Sequence, residues 1–441
     1  MSNQEVGGLI LLKENLSTFL NCKVSLVVNP ISHFRHKYSL DILENPQRSV
    51  YKLQYENKNM IILSCKVKEE NNVNCVLGLI LEGNIITFYD NRTLERIAET
   101  ITRVLSDCYI YGGFRSSVYY FDKYLIKRLI INTLCKSYYS DQTLLYTIDL
   151  LSDLRTMTFE NSHFSTGFIL TRNVKDFVQK NVVSNRNSEL IKLKSTFSMK
   201  LGDRLEKRIW RIADGQKSFF LFNNIFEANH MLVSNENGLS TKEYLDANSL
   251  KGLIYGQDLA YRTFGHNQCS ITNSIGVEVL YIENRWRIRN YDALRAYLKE
   301  KLNIISGNFY DEYLGYFLHL INYCSVHNYS TILWVPKNVS GSFPFTNSSK
   351  SFFKDKLSIT NSDHQEMIIR SVTSDGVSVF NHEGELVSFG NIVDISKEKI
   401  DGLKGTGETA LKILSGEGLA IKTSSDGSIK LYIEGSSPIL L

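Results

Sequence analysis

Asp375-Gly376-Val377-Ser378-Val379-Phe380-Asn381-His382-Glu383-Gly384-Glu385-Leu386-Val387-Ser388-Phe389-Gly390 covers residues 375–390. Val377–Phe380 is a short run of apolar and β-prone residues. Asn381–Gly384 is turn chemistry, and Glu385–Gly390 is a second strand-like run. Together they predict a β-hairpin. Upstream, Asp363–Arg370 predicts a helix, and Gly341–Lys350 is a loop rich in Ser, Asn and Phe. Before that, Thr331–Val335 predicts a buried strand ended by Pro336, because proline cannot donate to a ladder. A helix over Phe309–His327 precedes it, with Leu314, Phe317, Leu320 and Ile321 in its apolar set. Downstream, Glu408–Leu414 predicts a short helix. Leu419–Thr423 and Ser428–Ile433 predict a second hairpin around Asp426-Gly427. The order hairpin, helix, hairpin after an isolated strand predicts a mixed sheet flanked by helices over residues 306–441.

The rest of the chain reads as further α/β structure. Strands are expected at Val24–Val28, Met60–Cys65, Val76–Leu81 and Ile85–Tyr89. A helix starts near Asp90 or Asn91, with Leu94, Ile97, Ala98, Ile101, Val104 and Leu105 at a 3.6-residue period. A second spans Phe121–Cys135. These form an N-terminal α/β domain over residues 1–140. A middle α/β domain over 141–305 begins with a helix at Gln142–Leu154, for which Asp141 is the expected N-cap. Strands follow at Gly167–Leu170, Ser218–Phe222, Gly276–Tyr281 and Arg287–Arg289, with a helix at Asp292–Leu302. The polar stretch Asn173–Lys194 reads as a linker. A multidomain α/β protein is the expected class, as 441 residues exceed one ordinary core. One internal echo runs through it. Asp214-Gly215 before a strand parallels Asp375-Gly376, and Ile271–Val277 parallels Ile421–Gly427. Duplication and generic hairpin likeness both account for it.

Composition narrows the function. Hydrophobic residues are 43% and charged residues 22%, with 5 Pro, 24 Tyr and 23 Phe, a balance that excludes a disordered chain. A net charge of +4 over this length gives no strong argument for nucleic acid or an acidic membrane surface, and nucleic acid is not an expected partner. The seven cysteines show no C-x-x-C spacing and predict reduced, buried thiols. The apolar run Leu9–Leu12 is too short for a signal peptide core or a membrane span, so a cytoplasmic location without membrane contact is expected.

Two short stretches carry candidate chemistry. Asp375-Gly376 opens a strand after a helix, where a carboxylate can hold a divalent ion and glycine lets a substrate approach the backbone. The same pair also fits a plain turn. In Lys404-Gly405-Thr406-Gly407-Glu408-Thr409-Ala410, two glycines and two threonines stand at a helix start, where free N–H groups can cradle a phosphate. A simple helix cap fits these residues as well. The local cations for a phosphate are Lys404, Arg370 and Lys422.

Residues 311–435 resemble the diadenylate cyclase domain family. That family's Asp-Gly-Ala motif falls on Asp375-Gly376-Val377, and its Gly-Thr-Arg-His-Arg-Ala motif on Gly405-Thr406-Gly407-Glu408-Thr409-Ala410. Its late polar segment falls on Thr423-Ser424-Ser425-Asp426-Gly427. The family joins two ATP molecules into cyclic di-AMP with Mg2+ or Mn2+. The resemblance implies Asp375 as the acidic, metal-binding and catalytic residue. It implies Gly376, Gly405, Thr406, Gly407, Thr409, Thr423 and Ser424 around the nucleotide. Here Gly407, Glu408 and Thr409 replace the family's Arg-His-Arg, removing two cations beside the phosphates and adding an anion. Transition-state charge on the phosphoryl oxygens would lose its support. The expectation is therefore a nucleotide or cyclic-nucleotide sensor of a bacterial signalling or antiviral defence system. An active nucleotidyl cyclase and a purely structural interaction protein are the alternatives. A homodimer or an effector protein is the expected macromolecular partner.

Overall fold

The computed structural model describes residues 3–28, 50–55, 58–68, 74–82, 91–110, 118–134, 139–159, 162–183, 188–198, 207–215, 217–234, 254–265, 267–282, 284–290, 295–300, 311–327, 329–338, 343–347, 353, 356–395, 406–425, 427–433 and 439–440. Helices stand beside mixed and antiparallel sheets, as an α/β protein requires. The chain divides into two compact units. One is Met1–Ser152 with Val279–Asn290, and the other is Asp153–Glu278 with Tyr291–Leu441.

The first unit holds an antiparallel sheet of β1 (Lys23–Val28), β2 (Val50–Tyr55), β3 (Lys58–Lys68) and β4 (Asn74–Glu82), in the order β1-β4-β3-β2. Its helices are α1 (Asn3–Leu20), α2 (Asn91–Ile110), α3 (Val118–Leu134) and α4 (Asp141–Leu154). The predicted face of α2 is the buried one, with Leu94, Ile97, Ala98, Ile101 and Val104 inside. Helix α1 and strand β2 were not anticipated, and the strand expected at Ile85–Tyr89 lies outside the described residues. The cap of α4 is Ser140 and not Asp141, since the Ser140 hydroxyl accepts from the Thr143 amide at 3.1 Å. Asp141 is the first helical residue and pairs with Arg128. Among the described residues no helix is long and apolar enough to cross a membrane.

The second unit carries two sheets. The first is built from β7 (Ser165–Leu170), β8 (Ser188–Ser198), β9 (Ser218–Phe222), β10 (Glu227–Ser234), β11 (Leu259–Gly265) and β12 (Gln268–Asn273), which run β12-β11-β7-β9-β10-β8. Two minor strands, β5 (Thr158–Phe159) and β6 (Ser162–His163), precede it. Strand β13 (Val277–Ile282) crosses the boundary between the units, and β14 (Arg285–Asn290) lies in the first. In the expected linker at Asn173–Lys194 the described residues, 173–183 and 188–194, form a capped helix and a strand instead. Asn173 caps α5 (Val174–Val183) by accepting from the Lys175 amide, and β8 follows. Between β8 and β9 lies the single turn α6 (Lys207–Trp210). The abundant aromatics fill this core. Phe168 stacks on Tyr261 at 4.6 Å, and Phe197, Trp210, Phe220 and Phe222 interlock around it.

The second sheet runs β16-β19-β18-β15-β20-β21-β22, with β17 also pairing β19. Its strands are β15 (Thr331–Pro336), β16 (Phe345–Asn347), β17 (Leu357–Ser358), β18 (Val377–Phe380), β19 (Glu385–Val393), β20 (Gly418–Thr423), β21 (Ile429–Ile433) and β22 (Ile439–Leu440). Helices α7 (Asp311–Val326), α8 (Gln365–Val372) and α9 (Thr406–Ser415) accompany it. Both predicted hairpins are present. Strand β15 is central, parallel to β18 and antiparallel to β20, so the sheet is mixed. Ala410, Leu411 and Leu414 of α9 pack on Trp334, Val377, Val379 and Ala420 in one buried cluster. Phe317 of α7 packs edge-on against Phe380.

The two sheets share one plan. Each has a central strand, a parallel neighbour continuing into an antiparallel hairpin, and an antiparallel neighbour on the other side continuing into a second hairpin. Their registers agree, as Thr166 faces Thr263 where Thr331 faces Thr423. Their side-chain bonds agree too. Thr166 donates to the carbonyl of Trp210, the last residue of α6, and Thr331 donates to that of Val372, the last residue of α8. Thr263 donates to Phe164, and Thr423 to Tyr329, each acceptor lying two residues before the paired threonine. The Asp214-Gly215 half of the sequence echo fits this plan, since both pairs precede the parallel strand and both glycines have positive φ, +71° and +103°. The other half does not. Ile271 stands on β12, whose counterpart is β21, whereas Ile421 stands on β20.

Candidate functional site

Register decides which residues of the C-terminal sheet share an end. Val377 pairs with Ile332, Ile332 with Lys422, and Lys422 with Lys430, which makes one row across β18, β15, β20 and β21. Asp375 lies two residues before this row. Helix α9 crosses the same face, and its direction follows from its anchor. The indole N–H of Trp334 donates to the carbonyl of Leu414 at 3.0 Å, near the Pro336 end of β15. The helix start at Thr406 therefore lies toward the opposite end, where Lys422 stands. A Cβ built on Gly407 would come within 2.9 Å of the Lys422 ammonium. The sheet thus brings Asp375, Lys422 and the first turn of α9 to one end.

The predicted residues divide by environment. Asp375 is exposed, and no hydrogen bond or ion pair among the described residues holds its carboxylate. Asp214 differs, because its carboxylate accepts from the Lys217 and Ser218 amides at 2.7 and 2.8 Å and closes its own turn. Gly376 has a local reason to be glycine. Its φ is +103°, and a Cβ would meet the Asn391 carbonyl at 2.8 Å. The close approach is made by β19, whose bulge Asn391 fastens by donating to the Val377 carbonyl. Gly405 lies outside the described residues, and Thr406 opens α9. Gly407 is half-buried beside Lys422, and Thr409 is buried in the helix. Thr423 belongs to the other face, fully buried and bonded to Tyr329 at 2.7 Å. Ser424 is in the β20–β21 turn, where its amide donates to the Ser428 carbonyl and its own carbonyl accepts from Gly427.

Charge at this end is set by two lysines. Lys430 pairs with Glu408, which removes the negative charge that would otherwise oppose an anion at the helix start. No hydrogen-bond or ion-pair partner meets the Lys422 ammonium among the described residues. Arg370 is tied to Glu366 one helical turn away and is exposed. Lys404 lies outside the described residues. Lys430 was missed in the sequence. The available signal was its alternation in Ile429–Ile433, which places Lys430 and Tyr432 on one face of the strand.

Asp375 alone would give a divalent ion one carboxylate. Among the described residues no three His, Cys, Asp or Glu side chains converge on a common point. Such a donor set fits an ion held mainly by phosphates and water, as Mg2+ is in many nucleotide sites. Cys324 is buried within α7, and burial pushes its thiol up to about 12.

No family model matches the chain, and no curated protein matches its sequence.

Proposed function

We propose that the C-terminal sheet is a nucleotide-binding module, with the ligand's phosphate at the start of α9. The observation that carries this reading is the placement of the Lys422 ammonium against Gly407. A cation and the positive end of a ten-residue helix, whose first-turn N–H groups have no acceptor within the helix itself, converge there, each favouring an anion. Glycine at residue 407 keeps the approach open, since any side chain would displace Lys422. Asp375 would then face the ribose or a phosphate-held Mg2+ or Mn2+, whose chemistry when bound is to neutralise phosphate charge.

A sensor accounts for the charge pattern better than a cyclase. Glu408 neutralises Lys430 and leaves Lys422 as the single free cation among the described residues near the helix start. One cation suits ground-state binding, whereas phosphoryl transfer needs several charges on the migrating group. A bacterial signalling or defence role, and a homodimer or effector as partner, belong to this proposal through the resemblance to the diadenylate cyclase family.

Calorimetric titration with ATP, ADP, AMP and cyclic dinucleotides tests the reading, together with mass spectrometry of ATP incubated with Mn2+ or Mg2+. Saturable binding of at least one nucleotide with no new product is expected. Accumulation of a cyclic dinucleotide would replace the sensor with the cyclase, and silence toward every nucleotide would reject both.

A further inference from the structure

The shared plan of the two sheets allows their positions to be equated residue by residue. Thr263 and Thr423 are equivalent by register and by hydrogen bond, so Arg262 is the counterpart of Lys422, and Ser270 that of Lys430. Both sheets therefore place a cation at the same point of the strand antiparallel to the central one. The surroundings of the two cations differ. Arg262 is fully buried, its Nη2 donates to Glu278 Oε1 at 2.9 Å, and its Nε donates to the Ser270 hydroxyl at 3.0 Å. Its guanidinium also lies 4.6 Å from the centre of the Phe264 ring. Glu278 is as deeply buried as Arg262.

A fully buried arginine is costly unless an anion meets it, and a carboxylate offers the fork that fits a guanidinium. In the first sheet the chain supplies that anion itself. In the second sheet the equivalent cation is half-buried, and Glu408, the acid nearest in sequence to the start of α9, is spent on Lys430.

We propose that the two sheets of the second unit are copies of one module, and that in the first copy Glu278 occupies the anion position which, among the described residues, the second copy leaves open at Lys422. The first copy is then self-occupied and takes no ligand, while the second takes a carboxylate or phosphate from outside. For the second copy this rests on the functional reading above, and for the first it stands without it. The predicted stoichiometry is one anionic ligand per chain.

Removing Glu278 should convert the first copy into a small-anion site. The experiment uses the full chain bearing Glu278→Ala, with melting followed against sodium formate at constant ionic strength. The variant is expected to melt below the wild type and to recover in a saturable way with formate. The recovery should exceed the wild type's response by several degrees, and the double variant Arg262→Met/Glu278→Ala should lose it. If Glu278→Ala does not fold in buffer, recovery is read as refolding yield with and without formate, with the same double variant as control. A formate response no larger than that of the wild type, or one retained without Arg262, overturns the proposal whatever nucleotides do. A formate response in a protein that binds no nucleotide keeps the self-occupied copy and rejects the functional reading instead.

Discussion

Gly418→Ala is expected to destabilise the C-terminal sheet by about 4 kcal/mol or more, since backbone clashes in a closed core stand among the largest single-residue effects. A Cβ at this position would lie 2.2 Å from the Val335 carbonyl, 2.8 Å from Pro336 Cα and 3.0 Å from the Trp334 indole nitrogen. Two of these neighbours are backbone atoms of the central strand, so no side-chain rotation relieves the overlap. Gly418 pairs with Pro336 in the β15–β20 ladder, and the strands must part for the methyl to fit. Gly416, two residues earlier, is the control. A Cβ there meets nothing closer than the Ile413 carbonyl at 3.5 Å, an ordinary contact. Gly416→Ala should therefore change stability by no more than about 1 kcal/mol. Amide hydrogen exchange of β15 and β20 separates the two. Protection should collapse in Gly418→Ala and persist in Gly416→Ala, and equal protection in both would contradict the close approach.

Trp334→Ala should cost about 3–5 kcal/mol, the range for deleting a large aromatic from a core. Trp334 is fully buried, with Phe343 edge-on at 5.0 Å and Phe345 at 5.7 Å. Its N–H also donates to the Leu414 carbonyl at the end of α9, which accepts from the Glu417 amide at 3.2 Å as well. The side chain thus fills the space between sheet and helix and fixes where the helix ends. Trp334→Phe retains most of the volume and loses the hydrogen bond, so a smaller cost of about 1–2 kcal/mol is expected. Denaturant unfolding of the two variants checks the ordering. A Phe variant as damaged as the Ala variant would mean that the hydrogen bond outweighs the packing.

The C-terminal sheet was legible in the sequence because its strands are short apolar runs punctuated by strong turn residues. Asn381–Gly384 and Asp426-Gly427 mark the hairpins, and Pro336 stops the central strand. The first sheet of the second unit was less legible, for a physical reason that β8 illustrates. It is an edge strand, and Lys192 and Lys194 on it are the charges by which an edge avoids pairing with other chains. The same lysines made Asn173–Lys194 read as a linker. Asp375, Lys422 and the glycine-rich helix start were visible as residue types, but their convergence depends on the register of four strands. The Glu408–Lys430 and Arg262–Glu278 pairs were invisible for the same reason, as each joins elements that only the folded sheets bring together. Gly376 shows the reverse case. The sequence offered it to a ligand, and the neighbouring strand explains it.

We propose that Lys422 and the start of α9 receive the phosphate of a nucleotide. Titration of the nucleotide that binds best into the wild type, Lys422→Ala, Gly407→Ala and Arg370→Ala tests it most directly. Lys422→Ala should weaken binding at least about tenfold, a loss of roughly 1.4 kcal/mol. Gly407→Ala should weaken it as well, because the new methyl pushes the ammonium aside without touching the core. Arg370→Ala should bind as the wild type does. Unchanged affinity in Lys422→Ala, with the variant folded, would contradict the account.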